Sequence, residues 1–316
     1  MLRYAGKRLL LFVPILLGVA TVTFFLLHVL PGDPVLSLVG ERYDDETLER
    51  LRHEMRLDEP LAARYVHFLA GVVRLDFGRS YVTGQPVWQS IRQRFPYTFR
   101  LAAAAMIIAV LIGITIGVLS AWKWGTWVDH LAMGATVIGI SMPVFWLGVL
   151  LIYLFSLKLG LLPPSGYGGG GLKHLILPAF ALAQASAAYV ARITRSSMLD
   201  EIKATYIQTA RAKGVPDRSI LTRHALRNAL IPIITVVGTD FGSFLSGAVL
   251  TESIFAWPGL GRFTLDAILK RDIPAIQGAV LFMAVIFIAI NLVIDLAYGW
   301  VDPRVKLAGS GGGDSR

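Results

Sequence analysis

Two aspartates stand inside long apolar runs of this chain: Asp240, within Ala229 to Leu250, and Asp295, within Ile276 to Tyr298. A carboxylate surrounded by apolar residues is costly, and where one occurs it marks an ion site, a polar network or a water-lined path. Asp295 lies close enough to the end of its run to sit at an interface. The two aspartates are also the only conceivable dyad for an intramembrane protease, and nothing beside them supports that chemistry. Other reactive groups are sparse. The six histidines are scattered without metal-ligand spacing, and cysteine is absent, which excludes thiol catalysis, disulfides and Cys-ligated metal. No Walker A sequence and no glycine loop after a strand occurs, so no nucleotide site is expected. Ser and His form no nucleophile elbow. Catalytic residues, a metal and a bound cofactor are all expected to be missing from this chain.

The second feature with chemical character is a basic stretch, Ala204 to Pro232. From Arg195 to Arg227 there are seven Lys or Arg (Arg195, Lys203, Arg211, Lys213, Arg218, Arg223, Arg227) against three acids (Asp200, Glu201, Asp217). Ala204 to Lys213 suits a short helix with basic residues in its last turn, where the helix dipole favours them. Gly214 stands where a helix C-terminus favours a residue tolerant of the left-handed conformation. Pro216 and Asp217 restart the chain, with Asp217 as N-cap of a second helix through about Asn228. Helix, glycine elbow, helix: the pattern reads as a hairpin at a membrane surface. It is either a loop made basic by the positive-inside bias or a docking element for a soluble partner.

Composition dictates what must position these groups. Hydrophobic residues make up 55% and charged residues 16% of the chain, too apolar for an ordinary soluble protein. A net charge of +9 crowds into loops and termini beside apolar runs, which speaks for membrane topology and against nucleic acid. A helix crosses a bilayer with about 20 apolar residues. Six runs qualify: Leu9 to Leu30, Phe99 to Ala121, Leu131 to Leu157, His174 to Ile193, Ala229 to Leu250 and Ile276 to Tyr298. The expected fold is all-α with six spans. The first run is longer than a signal-peptide core and has no small-residue cleavage site. The third is interrupted by Ser141-Met142-Pro143, read as a packing kink. The fourth carries Gln184 and Ser186 and the fifth Asp240 and Ser243, which makes these four the candidates for a polar path. Trp122, Trp124 and Trp127 form an interfacial belt. Residues 35–98 are an outer excursion with nine Arg and nine acids, in which Asp45 to Arg56 reads as a charged helix. The short loop 194–228 is basic, whereas 158–173 has only Lys158 and Lys173 and 251–275 balances three basic against three acidic residues. Both termini are therefore expected in the cytoplasm.

Several motifs carry a resemblance. Leu30-Pro31-Gly32-Asp33-Pro34 follows the first run, Leu75-Asp76-Phe77-Gly78-Arg79-Ser80 precedes the second, and Gln85-Pro86-Val87 through Arg94-Phe95-Pro96 leads into it. Glu252-Ser253-Ile254-Phe255-Ala256-Trp257-Pro258-Gly259-Leu260-Gly261, Arg271-Asp272-Ile273-Pro274 and Asp302-Pro303-Arg304 follow in order. With the hairpin, they resemble the dipeptide/oligopeptide permease family of binding-protein-dependent ABC importers from about residue 4 to 306. The hairpin is similar to that family's cytoplasmic "EAA" loop through Gln208-Thr209-Ala210, Gly214 and His224-Ala225-Leu226-Arg227. Gln stands for Glu, His for Ile and Arg for Pro.

The resemblance implies a type I ABC importer transmembrane fold with an N-terminal span (1–30), an external segment (31–98), a five-helix domain (95–299) holding the coupling loop 194–228, and a C-terminal tail (300–316). It implies an inner-membrane permease subunit without its own ATPase site, paired with a second homologous permease. Two ATPase subunits that use ATP and Mg would bind below, and a solute-binding protein would deliver from outside. Tyr206, Gln208, Thr209, Ala210, Arg211, Lys213, Gly214, Asp217, His224 and Arg227 would form the ATPase-coupling surface. Asp33, Glu252, Trp257, Arg271 and Asp272 would meet the binding protein or the partner permease. Peptide is the expected cargo, with nickel, glutathione or sugar as alternatives. From another class, an ion-gradient-driven carrier centred on Asp240 is the rival, although no internal repeat supports it.

Overall fold

In lipid every backbone polar group must be satisfied within its own segment, so long apolar runs should fold as helices. The computed structural model describes residues 2–29, 35, 45–246 and 248–301. Helices dominate, and among the described residues the only extended pairing is an isolated bridge between Arg79 and Pro86. The Pro31–Pro34 motif with Asp33, Asp302-Pro303-Arg304 and the Gly-rich tail lie outside the described residues. In chain order the helices are α1 (Leu2–Val29), α2 (Asp45–Glu54), α3 (Leu61–Val73), α4 (Val87–Trp122), α5 (Trp127–Ser141), α6 (Val144–Lys158), α7 (Leu172–Ile202), α8 (Thr205–Ala212), α9 (Asp217–Leu245), α10 (Val249–Ile254), α11 (Leu260–Leu269) and α12 (Ile273–Val301).

Among the described residues five helices are long and apolar enough to cross a membrane: α1, α4, α7, α9 and α12. The third apolar run is not a straight helix with a kink. Helices α5 and α6 meet at an angle of 103° around Met142-Pro143. Each has 15 residues and reaches about 22 Å, short of the ~30 Å hydrocarbon core. Pro143 has no N–H to continue the ladder. The carbonyls left free are taken up from outside, since Gln184 Nε2 on α7 donates to Gly139 O (3.0 Å) and Met142 O (2.6 Å).

Two other spans run further than their apolar runs suggest. Helix α4 starts at Val87, three turns before Phe99, with Pro96 accommodated inside it. Helix α7 continues unbroken past Ile193 to Ile202, and α9 begins at Asp217, twelve residues before Ala229. The coupling hairpin is therefore built from one short separate helix, α8, as expected for Ala204 to Lys213, and from the extended start of the span α9.

Helices α4 and α7 form the central pair. Gly113 and Gly117, one turn apart on α4, face α7. A Cβ on Gly113 would sit 2.7 Å from the Val190 Cβ and 2.8 Å from Ala187 O, and one on Gly117 would sit 2.5 Å from the Thr194 Cβ and 2.6 Å from Ala191 O. Small residues at this spacing let helix backbones approach in lipid, where apolar burial supplies no driving force. Leu101, Ala105, Ala109, Ala179, Ala183 and Ala187 continue the seam. Helix α1 packs on α12 and on α3, where Thr21 and Tyr65 share a 2.6 Å hydrogen bond and Phe24 stacks on Phe68. Its remaining apolar face, including Leu10, Leu11 and Val13, is exposed and suits lipid.

Candidate functional site

Helices α7 and α9 frame an open cavity of about 410 Å³. Ser186 and Tyr189, three residues apart on α7, face Asp240 and Ser243, three apart on α9, and such spacing places each pair on one helix face. Ser186 Oγ donates to Asp240 Oδ2 at 2.5 Å. The rest of the wall is apolar, with Ile140, Val144, Leu182 and Phe244 among its residues. Three of the four sequence-selected polar groups thus come together. Gln184 does not join them; it points to the α5–α6 break and lines a separate, smaller cavity. Asp295 lies in α12.

The hairpin closes with a Schellman arrangement. Gly214 has φ +79°, its N–H donates to Arg211 O (2.9 Å), and Val215 N–H donates to Ala210 O (3.1 Å). A Cβ on Gly214 would meet no atom within 4 Å, so the glycine is required by its backbone conformation and not by space. Asp217 does not cap α9: Pro216 occupies the N-cap, and Asp217 is the first helical residue, 3.5 Å from Arg211 across the elbow. Its carboxylate still favours the positive end of the helix dipole. The first turns of α9 are widened into a π-helical stretch at Ile220–Ala225. Tyr206 holds the hairpin base. Its hydroxyl donates to Glu201 Oε2 (2.5 Å) and accepts from Asn228 Nδ2 (2.9 Å), joining α7, α8 and α9. Burial raises the Tyr206 phenol above its ordinary value, and the Glu201 bond adds to this, so it stays a donor at neutral pH. Gln208, Thr209, Arg211, Lys213 and Arg227 are exposed, Ala210 and His224 half-buried, and Ile207 is anchored inside.

Beneath the hairpin lies a group that sequence reasoning missed. Asp129, 1% exposed in the first turn of α5, accepts from Arg195 Nε (2.7 Å) and Nη2 (2.8 Å), from Gly125 N (3.0 Å) and from Ser120 Oγ. This bidentate pair ties the ends of α4 and α5 to α7 just before the hairpin. The partners are 66 residues apart, and no local pattern announces them. A lone acid two residues after Trp127, at the start of an apolar run, was the available signal.

The outer candidates need correction. Glu252 and Trp257 are fully buried and Asp272 is 3% exposed, so none presents a side chain to another protein. Glu252 accepts from Thr98 Oγ1 (2.7 Å) and Arg262 N (2.9 Å), with Gly259 packed so closely that a Cβ there would overlap the carboxyl. Trp257 Nε1 donates to Tyr97 O (2.9 Å). Asp272 accepts from Ser80 Oγ (2.5 Å) and Tyr81 N (3.0 Å), fastening the outer segment to the start of α12. Of these candidates Arg271 alone is exposed among the described residues; Asp33 lies outside them.

Burial pushes the Glu252 carboxyl up from its ordinary 4.5, while its hydrogen bonds pull the other way. With the folded value above the unfolded one, the native state binds more protons in that window, so its contribution to stability falls as pH rises from 4.5 through the raised value. The melting midpoint of the detergent-purified chain, followed against pH, should carry this slope, and Glu252→Gln should remove it. An identical slope in both proteins would contradict the assignment.

Comparison with known proteins gives the architecture a family. A family model described as "Binding-protein-dependent transport system inner membrane component" matches residues 113–307, and the corresponding N-terminal model matches residues 1–102. The chain belongs to this family. Dipeptide transport system permease protein DppB of Escherichia coli (strain K12) is 41% identical over 336 aligned residues, covering 97% of this chain and 99% of that protein. The DppB of Alkalihalophilus pseudofirmus is 40% identical over 332, covering 97% and 100%. Among solved structures, a chain of the MetNI methionine ABC transporter in an inward-facing conformation superposes with a TM-score of 0.57 at 18% identity, covering 68% of this chain and 97% of that one. That likeness is one of fold: an all-α importer transmembrane subunit. As a binding-protein-dependent permease, the chain is an inner-membrane protein that works with partner subunits.

Proposed function

We propose that this permease forms, with a second homologous permease, the translocation path of an ATP-driven importer of di- or oligopeptides. The observation that carries the reading is its end-to-end similarity, at about 40% identity, to dipeptide permeases. In this reading the cavity framed by α7 and α9 is one wall of the path, completed by the second permease. The hairpin around Gly214 docks on one of two ATPase subunits, which bind ATP and Mg; this chain binds neither. Both termini lie in the cytoplasm, in keeping with the basic hairpin, and a solute-binding protein delivers cargo to the outer side. Because α9 forms one arm of the hairpin and α7 is fastened to its base through Glu201 and Tyr206, displacement of the hairpin by ATPase closure is passed to the cavity wall. Coupling then needs only different affinities of the hairpin for two ATPase states.

The test is a mild-detergent pull-down from the native membrane followed by peptide uptake in reconstituted vesicles. Two ATPase chains and a second six-span permease should co-purify. Recovery of this chain alone, with uptake driven by an ion gradient, would sink the reading and favour a secondary carrier. Within the assembled complex, Gly214→Val should leave assembly intact and lower ATP-dependent uptake at least tenfold, since a β-branched residue at positive φ strains the elbow by about 1–3 kcal/mol. Retained uptake would show that the elbow does not transmit closure.

A further inference from the structure

Asp240 has an unfinished set of partners. One carboxylate oxygen accepts from Ser186 Oγ; the other has no hydrogen-bond or ion-pair partner among the described residues. No Lys, Arg or His among the described residues lines the cavity to neutralise it. A carboxylate on the largely apolar wall of an open cavity, with one oxygen unpartnered, attracts a cation. The neighbouring groups restrict which one. A divalent metal takes six or more oxygen ligands at short range, and this wall offers one carboxylate and three hydroxyls, those of Ser186, Tyr189 and Ser243. A primary ammonium has three N–H donors. Asp240, Ser243 Oγ and Ser186 Oγ present a matching number of acceptors, and the ring of Tyr189 adds a face suited to a cation. The remainder of the wall, Ile140, Val144, Leu182 and Phe244, offers contact without hydrogen bonds and so sets no fixed demand on what hangs from the ammonium. The volume, about 410 Å³, is in the range of small-molecule sites.

We propose that Asp240 is the seat for the free α-ammonium group of the cargo inside the membrane, with Ser243, Ser186 and Tyr189 completing the site. The inference rests on the peptide reading above and adds a selectivity of the permease itself, separate from any selection made by the delivering protein.

The experiment uses the whole importer reconstituted in proteoliposomes, with dialanine and N-acetyl-dialanine as probes. Equilibrium binding is measured calorimetrically on the importer without its binding protein, and ATP-driven dialanine uptake is measured with it. The intact importer should bind dialanine at least tenfold more tightly than its N-acetyl form, in line with a charge-assisted hydrogen bond. Asp240→Asn should abolish that preference and lower uptake about tenfold while binding-protein-stimulated ATP hydrolysis continues, and Asp240→Glu should restore most of both. An equal preference in Asp240→Asn, or unchanged uptake, overturns the ammonium seat and leaves the peptide reading standing. Absence of dialanine uptake by the unmodified importer overturns the peptide reading together with the seat. Should Asp240→Asn fail to assemble, Ser243→Ala, on an exposed position of α9, must still narrow the preference severalfold; an unchanged preference counts against the proposal.

Discussion

Asp129→Ala should destabilise the purified permease by about 3 kcal/mol, the lower end of what breaking a buried ion pair costs. The lower end applies because the two partners differ in exposure. The Asp129 side chain is 2% exposed, whereas Arg195 keeps 26% of its surface and so retains some hydration when left alone. Three further groups lose an acceptor at the same time, Ser120 Oγ, Gly125 N–H and the second guanidinium N–H. An apolar replacement of both partners removes the uncompensated charge, so Asp129→Ala combined with Arg195→Met should recover more than half of the loss. Thermal unfolding in detergent measures this, with Asp266→Ala as control. Asp266 is exposed, 4.0 Å from Arg262, and should cost little. Equal shifts for Asp129→Ala and the control would mean that the clamp contributes nothing. Because Arg195 lies on α7 just before the hairpin, the single variant should also weaken coupling, seen as ATP hydrolysis that no longer scales with uptake.

Gly117→Leu should have a larger effect and prevent assembly of a monodisperse protein. The first atom of any side chain there meets Ala191 O at 2.6 Å, a backbone atom that moves only if α7 moves. Even Gly117→Ala should cost about 1–3 kcal/mol, as overpacked cores do. Leucine must force α4 and α7 apart along the seam that also holds Gly113, and α7 carries part of the cavity wall and the Glu201 contact at the hairpin base. Gly134→Ala on α5, where a Cβ meets nothing within 4 Å, is the matched control and should gain slightly from better helix propensity. Size-exclusion profiles and melting midpoints of the three variants decide the matter. A Gly117→Leu protein that elutes and melts like Gly134→Ala would show that the helices are not in close contact.

Local signals were legible wherever one segment sufficed to produce them. Apolar run length marked out five membrane-length helices and the bent α5–α6 pair, because a bilayer imposes a length and a composition on any helix within it. Gly214 was readable as a left-handed elbow because basic residues at a helix end, a glycine and a proline two residues on are neighbours in the chain. That Ser186, Asp240 and Ser243 would turn away from lipid, and not toward it, followed from the cost of leaving them there; they line one cavity, whereas Gln184 does not join them. None of these inferences needed to know which helix lies beside which.

Tertiary structure decided what depends on distant partners. Asp129 and Arg195, or Glu252 and Thr98, are ordinary residues until packing brings them within hydrogen-bond range. Burial of Glu252, Trp257 and Asp272 turned a motif that looked like an outer contact surface into an internal fastening. Pro143 announced a break, but the size of the bend required a helix able to supply Gln184 to the freed carbonyls. The starts of α4 and α9 and the end of α7 ran beyond their apolar limits because helix propensity and hydrogen bonding continue past the point where hydrophobicity stops. Sequence alone determined the class of this protein and its hairpin elbow. Only the packed helices determined that a single carboxylate with a free oxygen faces an open cavity.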